Sequence, residues 1–164
     1  MTYTSLVKQQ QGVFRAEGLL KAQDILDTAA SILFEGLNTG QPLSSPEDAA
    51  TFLQTSLANE PNEHFAALFL NSKNIVISFE RLFSGTIDSA SVYPRVVVQK
   101  ALACNASAVI FAHNHPSGDP DPSRSDKKIT KDLVDALGMI DVRVLDHFVV
   151  GNAEWVSLAR LGWL

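Results

Sequence analysis

Two short runs of apolar residues constrain the fold of this chain more than any other feature. Phe65–Leu70 reads FAALFL and Ala108–Ala112 reads AVIFA, with no polar residue in either run. Runs this short and this apolar are typical of strands that are buried on both faces. A sheet that contains such strands needs helices against both of its faces, so the rest of the chain must supply them.

Helical patterns occur in four other parts of the chain. Apolar residues recur near the 3.6-residue period of a helix, and Ser45 followed by Pro46 is a typical helix start in which serine caps and proline comes first. The predicted helices cover residues 13–37, 46–58, 94–105 and 123–137. They are long enough to cover a sheet on both sides.

The remaining strands complete a mixed layer fold. Residues 75–83 are predicted to pair with the FAALFL strand as a hairpin, and residues 142–150 and 154–158 are predicted as closing strands around a Gly151-Asn152 turn. This order of elements predicts an α/β or α+β fold with a mixed sheet flanked by helices. A length of 164 residues fits one domain with such a fold.

Charge and cysteine content narrow the functional classes. The net charge is −5 and the pI is about 5.2, which makes general nucleic-acid binding unfavourable because phosphate contact needs clustered cations. The single cysteine, Cys104, excludes a disulfide within the chain. A polar N-terminus and the lack of a long apolar stretch predict a cytoplasmic protein without a membrane partner.

The segment from His113 to Asp126 is the most informative for function. His113 and His115 follow a buried strand, and extended residues i and i+2 point to the same side, so their rings can converge on one ion. Asp126 shares a helix face with Ile129 and Leu133, so its carboxylate should face inward. Two nitrogens and one oxygen leave a fourth zinc position open, as in catalytic zinc sites.

Each piece of this segment also has a structural interpretation. A His-x-His pair is common on protein surfaces. Ser123 and Asp126 have the spacing of a helix capping box, and the prolines between residues 116 and 122 could simply stiffen a loop. The metal interpretation is stronger because these features coincide within fourteen residues.

His113-x-His115-x7-Ser123-x2-Asp126 matches the JAMM motif of MPN/JAB-domain metalloproteases, and the wider chain resembles the RadC family. The resemblance covers about residues 60–164 and is carried by several separate segments: Glu63-His64-Phe65, Leu82-Phe83-Ser84-Gly85-Thr86, Tyr93-Pro94-Arg95, His113–Pro120 and Val142–His147. It implies a cytidine-deaminase-like α/β fold, a RadC-like JAB/MPN domain at 61–164 and an N-terminal helical extension at 1–60. It also implies zinc held by His113, His115 and Asp126.

The same resemblance implies roles for other residues. A family glutamate upstream of a strand acts as general base toward a metal-activated water; Glu63 is the best match, with Glu60 as rival and Glu80 as a weaker one. The family serine corresponds to Ser123, whose hydroxyl could donate a hydrogen bond to a developing oxyanion. The implied activity is zinc-dependent hydrolysis of peptide or isopeptide bonds in a protein or peptide substrate.

Several alternatives stay open at this point. His147 could orient a metal ligand, although packing is the commoner role of such a histidine. A basic stripe of Arg124, Lys127, Lys128 and Lys131 could dock nucleic acid, although i,i+4 pairs with aspartates favour a solvated face. The functional alternatives are a DNA-associated repair factor with weak nucleic-acid binding and a non-catalytic metal-binding scaffold. A homo-oligomer could form through the N-terminal helix.

Overall fold

A computed structural model describes residues 6–10, 12–16, 18–85 and 91–164 of the chain. In these ranges it has seven strands and four helices: β1 (Leu6–Gln10), β2 (Val13–Ala16), α1 (Ala22–Leu37), α2 (Pro46–Leu57), β3 (His64–Leu70), β4 (Val76–Ser84), α3 (Pro94–Ala103), β5 (Ala108–Asn114), α4 (Arg124–Gly138), β6 (Arg143–Val150) and β7 (Trp155–Ser157). From α2 onward these bounds agree with the predicted elements to within about two residues.

The main sheet has five strands in the order β4-β3-β5-β6-β7. The predicted hairpin of β3 and β4 is antiparallel, and β3 also pairs antiparallel with β5. Strands β5 and β6 are the parallel pair, joined by α4, and β7 returns antiparallel to β6. The sheet is therefore mixed, as the sequence predicts.

Helices cover both faces of this sheet because its central strands are apolar on both sides. Alternate residues of β3 point to opposite faces. Ala66, Leu68 and Leu70 join one core cluster, with α2 and partly buried residues of α1. Phe65, Ala67 and Phe69 join a second cluster, with α3 and α4. The result is a layer of helices, a mixed sheet and a second layer of helices, which confirms the predicted fold class.

The N-terminal helix begins later than its apolar pattern predicts. Residues 13–16 form β2, which pairs antiparallel with β1, and α1 begins only at Ala22. Gly18 has φ of +112°, a conformation outside the helical region that separates the hairpin from the helix. The segment 1–60 therefore contains a strand pair as well as helices. The domain boundary after residue 60 stays a prediction.

The parallel pair decides where functional residues can meet. Strands β5 and β6 end side by side, with Asn114 paired to Val150, and the connection from β5 leads directly into the start of α4. The residues after β5 and those at the first turn of α4 therefore lie at the same edge of the sheet. Among the described residues, no helix is long and apolar enough to span a membrane.

Candidate metal centre

The two histidines lie at the carboxyl end of β5. His113 pairs with Phe65 of β3 on one side and with Val149 of β6 on the other. The backbone nitrogen of His115 donates to the carbonyl of Val150 at 2.9 Å, which extends the ladder beyond the end of β5. The backbone stays extended at this point, so the two rings lie on the same side of the strand, tilted to each other with their centroids 4.9 Å apart.

Asp126 reaches the same point from the first turn of α4. Its Oδ1 lies 3.3 Å from Nε2 of His113, and its Oδ2 lies 3.6 Å from Nε2 of His115. The two Nε2 atoms are 3.1 Å apart. In the part of the chain that the structure describes, these three side chains could together hold a metal ion, because their potential ligand atoms all lie within 4.8 Å of one another.

A capping box holds the Asp126 carboxylate in place. The backbone nitrogen of Ser123 donates to Oδ2 of Asp126 at 2.7 Å, and the backbone nitrogen of Asp126 donates to Oγ of Ser123 at 3.1 Å. The capping and metal interpretations of these two residues are therefore compatible. The Ser123 side chain is exposed, and its hydroxyl proton is not used by this bond.

The proline-rich loop orients the ring of His115. The carbonyl oxygen of Asp119 lies 2.8 Å from Nδ1 of His115, so Nδ1 donates and Nε2 faces the carboxylate. The loop packs directly against the β6–β7 turn: a Cβ on Gly151 would lie 2.4 Å from the carbonyl oxygen of Gly118. Gly118 itself has φ of +85°, which favours glycine. These close contacts leave the loop little freedom to move His115.

His113 has a buried neighbour, His147, for which the sequence left both packing and the orientation of a metal ligand open. Nε2 of His147 lies 2.8 Å from Nδ1 of His113, and Nδ1 of His147 lies 2.6 Å from Oγ1 of Thr130. The His147 ring is fully buried and meets the rings of Phe65 and Phe111 edge-on. His147 is therefore packed in the core, as expected, and also contacts the ring of His113.

Asn114 connects the histidine strand to the loop that carries Glu63. Its side chain is fully buried; Oδ1 accepts from the backbone nitrogen of His64 at 2.8 Å, and Nδ2 donates to the carbonyls of Asn62 at 3.0 Å and Glu60 at 3.4 Å. The backbone nitrogen of Gly85 donates to the carbonyl of Glu63 at 2.8 Å. Residues 60–64 are thus held against the end of β5.

The charges of the site are strongly coupled. Burial raises the pKa of Asp126, but hydrogen bonds with His113 and His115 outweigh burial and hold that pKa well below the ordinary carboxyl range. The hydrogen bond with Asp126 raises the pKa of His115 against the opposing effect of burial, and the charge of Glu63 adds to the increase. Burial, followed by the charge of His113, lowers the pKa of His147 well below its usual value.

The three glutamates considered from the sequence have different surroundings. Glu60 forms an ion pair with Arg81 at 2.5 Å and lies 3.6 Å from Nε2 of His64. Glu80 forms an ion pair with Lys100 at 2.6 Å on the edge strand β4. Glu63 is half-buried and close enough to His115 for its charge to affect the pKa of that ring.

The basic stripe on α4 is largely paired. Lys128 contacts Asp132 and Lys131 contacts Asp135, each at 2.5 Å, as the i,i+4 spacing predicts. Nζ of Lys127 lies 4.7 Å from the centroid of the Trp163 ring. These contacts support the interpretation of the stripe as a solvated helix face.

Sequence reasoning missed three contributors to this site: the side chain of Asn114, the hydroxyl of Thr130 and the carbonyl of Asp119. Asn114 and Thr130 did carry a signal, because each is a polar residue at a position whose neighbours predict burial. Asp119 carried none, because its contribution comes from the backbone. Of the segments that carry the family resemblance, Thr86 lies outside the described residues.

Comparison with known proteins identifies the family of this chain. A family model described as "RadC-like JAB domain" matches residues 43–163. Similar proteins include the "UPF0758 protein" of Cellvibrio japonicus, 48% identical over 97% of this chain and 73% of the relative; that of Alcanivorax borkumensis, 52% identical over 92% and 66%; and that of Chromohalobacter salexigens, 58% identical over 78% and 57%.

The chain thus spans between 57% and 73% of the length of these relatives. The family match covers well over half of the chain, including both histidines, Asp126 and Glu63. It extends from the loop before α2 to the residues after β7, and so includes the whole five-stranded sheet. This chain therefore belongs to the RadC-like JAB domain family.

Proposed function

We propose that this chain is a zinc-dependent hydrolase that cleaves peptide or isopeptide bonds. The observation that carries the proposal is the convergence of the side chains of His113, His115 and Asp126 at one sheet edge, with ligand atoms within 4.8 Å of one another. Two imidazoles and a carboxylate from two different elements meet there at the start of a helix. Such a set is costly to bury unless its members bind each other or an ion.

The donor set fits zinc better than calcium or magnesium. Imidazole nitrogens suit zinc and other late transition metals, whereas calcium and magnesium prefer oxygen ligands. Nδ1 of His115 is occupied by the carbonyl of Asp119, which leaves Nε2 as the ligand atom. When bound by three protein ligands, zinc lowers the pKa of water and polarises a carbonyl group.

Glu63 is the proposed general base. Its carboxylate would take a proton from the attacking water as the water oxygen bonds to the substrate carbonyl carbon, and would return that proton to the amine as the C–N bond breaks. Glu60 and Glu80 are less suited because each forms an ion pair with a cation, Arg81 and Lys100 respectively. The loop that carries Glu63 is held by Asn114, next to the two histidines.

Ser123 is the proposed oxyanion donor. Its Oγ accepts a hydrogen bond from the backbone nitrogen of Asp126, which orients the hydroxyl group and leaves its proton free to donate. The side chain is exposed at the start of α4, where a substrate oxygen could reach it. A donor aimed at a developing negative charge contributes most in the transition state.

The charge distribution favours a peptide over a nucleic acid as substrate. The chain has a net charge of −5, and two lysines of the basic stripe, Lys128 and Lys131, are paired with aspartates. Binding along a phosphate backbone needs unpaired cations in a continuous patch. A DNA-processing role is therefore the weaker alternative.

Hydrolysis of a peptide library and of an isopeptide-linked peptide by the zinc-loaded protein tests the proposal. Glu63→Gln should abolish turnover while leaving zinc binding intact, and the matched variant Glu60→Gln should leave most of the activity. Zinc binding without turnover of either substrate would favour a scaffold. Turnover that survives Glu63→Gln but not Glu60→Gln would show that Glu60, and not Glu63, is the general base.

A further inference from the structure

A buried hydrogen-bonded chain leads away from the candidate ligand His113 into the core. It runs from Nδ1 of His113 to Nε2 of His147 at 2.8 Å, and from Nδ1 of His147 to Oγ1 of Thr130 at 2.6 Å. Oγ1 of Thr130 also lies 2.6 Å from the carbonyl oxygen of Asp126, one helical turn earlier. All three side chains are at most 1% exposed.

The contact with the carbonyl oxygen of Asp126 determines which acceptor receives the hydroxyl proton of Thr130. The carbonyl oxygen of Asp126 can only accept, so the hydroxyl of Thr130 must donate to it. If the hydroxyl donated to His147 instead, two acceptor oxygens would face each other at 2.6 Å with no proton between them. Oγ1 of Thr130 therefore accepts, and Nδ1 of His147 carries a proton that it donates to Oγ1.

The direction of the next bond follows from burial. His147 is enclosed by the rings of Phe65 and Phe111, and its two ring nitrogens face Thr130 and His113, neither of which is a carboxylate. A charged imidazolium there would lack a compensating negative charge in contact, which is costly in a buried position. A neutral His147 with its proton on Nδ1 has only a lone pair on Nε2. Nδ1 of His113 must therefore donate to that lone pair.

We propose that Thr130 and His147 are positioning residues that keep a proton on Nδ1 of His113, so that Nε2 is the ring nitrogen left to bind zinc. This inference rests on the metal-binding part of the proposed function. It assigns the buried histidine of β6 a role in the metal centre, in addition to packing. Acceptors on the distal nitrogen of a histidine ligand fix the ring orientation and increase the basicity of the other nitrogen.

The chain of contacts also links the ligands to each other. Asp126 supplies a side-chain carboxylate to the site and a backbone carbonyl to Thr130, while His113 is held by His147. The contacts therefore join α4, β6 and β5 in one continuous set of hydrogen bonds. A substitution at Thr130 therefore affects the hydrogen bonding of His113, although neither His113 nor Asp126 is itself replaced.

The decisive variant is Thr130→Val, which keeps the volume of the side chain and removes the hydroxyl. The variant leaves Nδ1 of His147 without its acceptor. The His147 proton is then no longer held on Nδ1, and Nε2 of His147 is no longer kept as an acceptor for Nδ1 of His113. The conservative variant Thr130→Ser restores the hydroxyl. Thr28→Val is the matched control, because it removes a threonine hydroxyl that also donates to the carbonyl one helical turn earlier, in α1 and not in α4. His147→Phe keeps a ring among its aromatic neighbours and removes both nitrogens.

Two measurements are needed: zinc affinity by competition with a chelator, and histidine tautomers by nitrogen NMR of the zinc-free protein. Thr130→Val and His147→Phe should weaken zinc binding by about 10- to 100-fold, with Thr130→Ser and Thr28→Val within about 3-fold of the wild type. In the wild type, Nδ1 of His113 and Nδ1 of His147 should each carry a proton.

Unchanged zinc affinity in a folded Thr130→Val protein would overturn the proposal, as would a wild-type His113 whose Nδ1 carries no proton. The tautomer measurement uses the unaltered chain, so it decides the question even if a variant does not fold. A wild type that binds no zinc would instead show that the proposed function is wrong.

Discussion

The side-chain oxygen of Asn114 lies 2.8 Å from the backbone nitrogen of His64, which ties the strand of the two histidines to the loop of the proposed general base. The same side chain donates to the carbonyls of Asn62 and Glu60. A single buried amide thus positions the glutamate loop relative to the metal centre. The relationship joins residues 50 positions apart in the chain.

Replacement of Asn114 by alanine should therefore affect stability and activity together. The variant leaves the half-buried backbone nitrogen of His64 without its partner, with an expected loss of about 1–3 kcal/mol, whereas the carbonyl of the exposed Asn62 can bond to water instead. Hydrolysis should fall by more than 10-fold because Glu63 is no longer held, while zinc binding is largely kept. Urea unfolding, chelator competition and peptide hydrolysis are the measurements.

Asn71→Ala is a suitable control for that experiment. Oδ1 of Asn71 accepts from the backbone nitrogens of Lys73 and Ile75 in the β3–β4 turn, at the opposite end of β3. This variant should lose stability but retain the activity per folded molecule. Equal losses of activity in the two variants would contradict a positioning role for Asn114.

Gly151→Ala should disturb the loop that orients His115. Its Cβ would lie 2.4 Å from the carbonyl oxygen of Gly118 and 2.9 Å from Cδ of Pro120, so the backbone of the loop must move. We expect a stability loss of roughly 1–3 kcal/mol, typical of overpacking, and weaker zinc binding. Thermal unfolding and chelator competition test this. Gly138→Ala adds its methyl group to open space and should change neither property for the worse.

Zinc should stabilise the folded chain, because a ligand that binds only the folded state adds free energy of unfolding. At a free concentration of about 100 times Kd, the increase is about 2.7 kcal/mol. His113→Ala and Asp126→Ala should lose this increase. His64→Ala should keep it, because His64 lies near Glu60 and outside the ligand group. Unfolding curves with zinc and with chelator would show whether the ligand variants still respond to the metal.

The stability of the zinc-free protein should depend on pH through His115. Its pKa is raised by Asp126, so its contribution is complete below the unfolded value of about 6.5 and is lost as pH rises through the folded pKa. Asp126, with a lowered pKa, contributes above about pH 3.9 and loses that contribution as pH falls through its folded pKa. The pair is therefore most stabilising between about pH 4 and 6.5.

His147 acts in the opposite sense, because its lowered pKa destabilises the folded state as pH falls below about 6.5. The effect of His115 is therefore measured as the stability difference between the wild type and His115→Gln. This difference should shrink between pH 6 and 9 in urea unfolding of chelator-treated protein. A difference that grows over that range would mean that Asp126 does not stabilise a charged His115.

The pattern of apolar residues was sufficient for the sheet and for three of the helices. FAALFL and AVIFA became β3 and β5, and both faces of β3 are buried, as runs of that kind predict. The same reasoning failed at residues 13–16, which form β2. Helical periodicity continues across Gly18 in the sequence, but β2 is stabilised by pairing with β1, and a period within one segment carries no information about a pairing partner.

Apolar periodicity in the sequence was enough to predict the mixed layer fold, and the resemblance of several motifs was enough to predict the family. Local spacing also predicted that His113, His115 and Asp126 meet, because it places them at a strand end and a helix start. The surroundings of these three residues depend on tertiary contacts that the sequence does not show. Asn114 meets residues 60–64, and His147 meets His113 and Thr130, across elements that are far apart in the chain. The direction of a buried hydrogen bond depends on which acceptors and donors meet in space, and no single segment of sequence contains both partners.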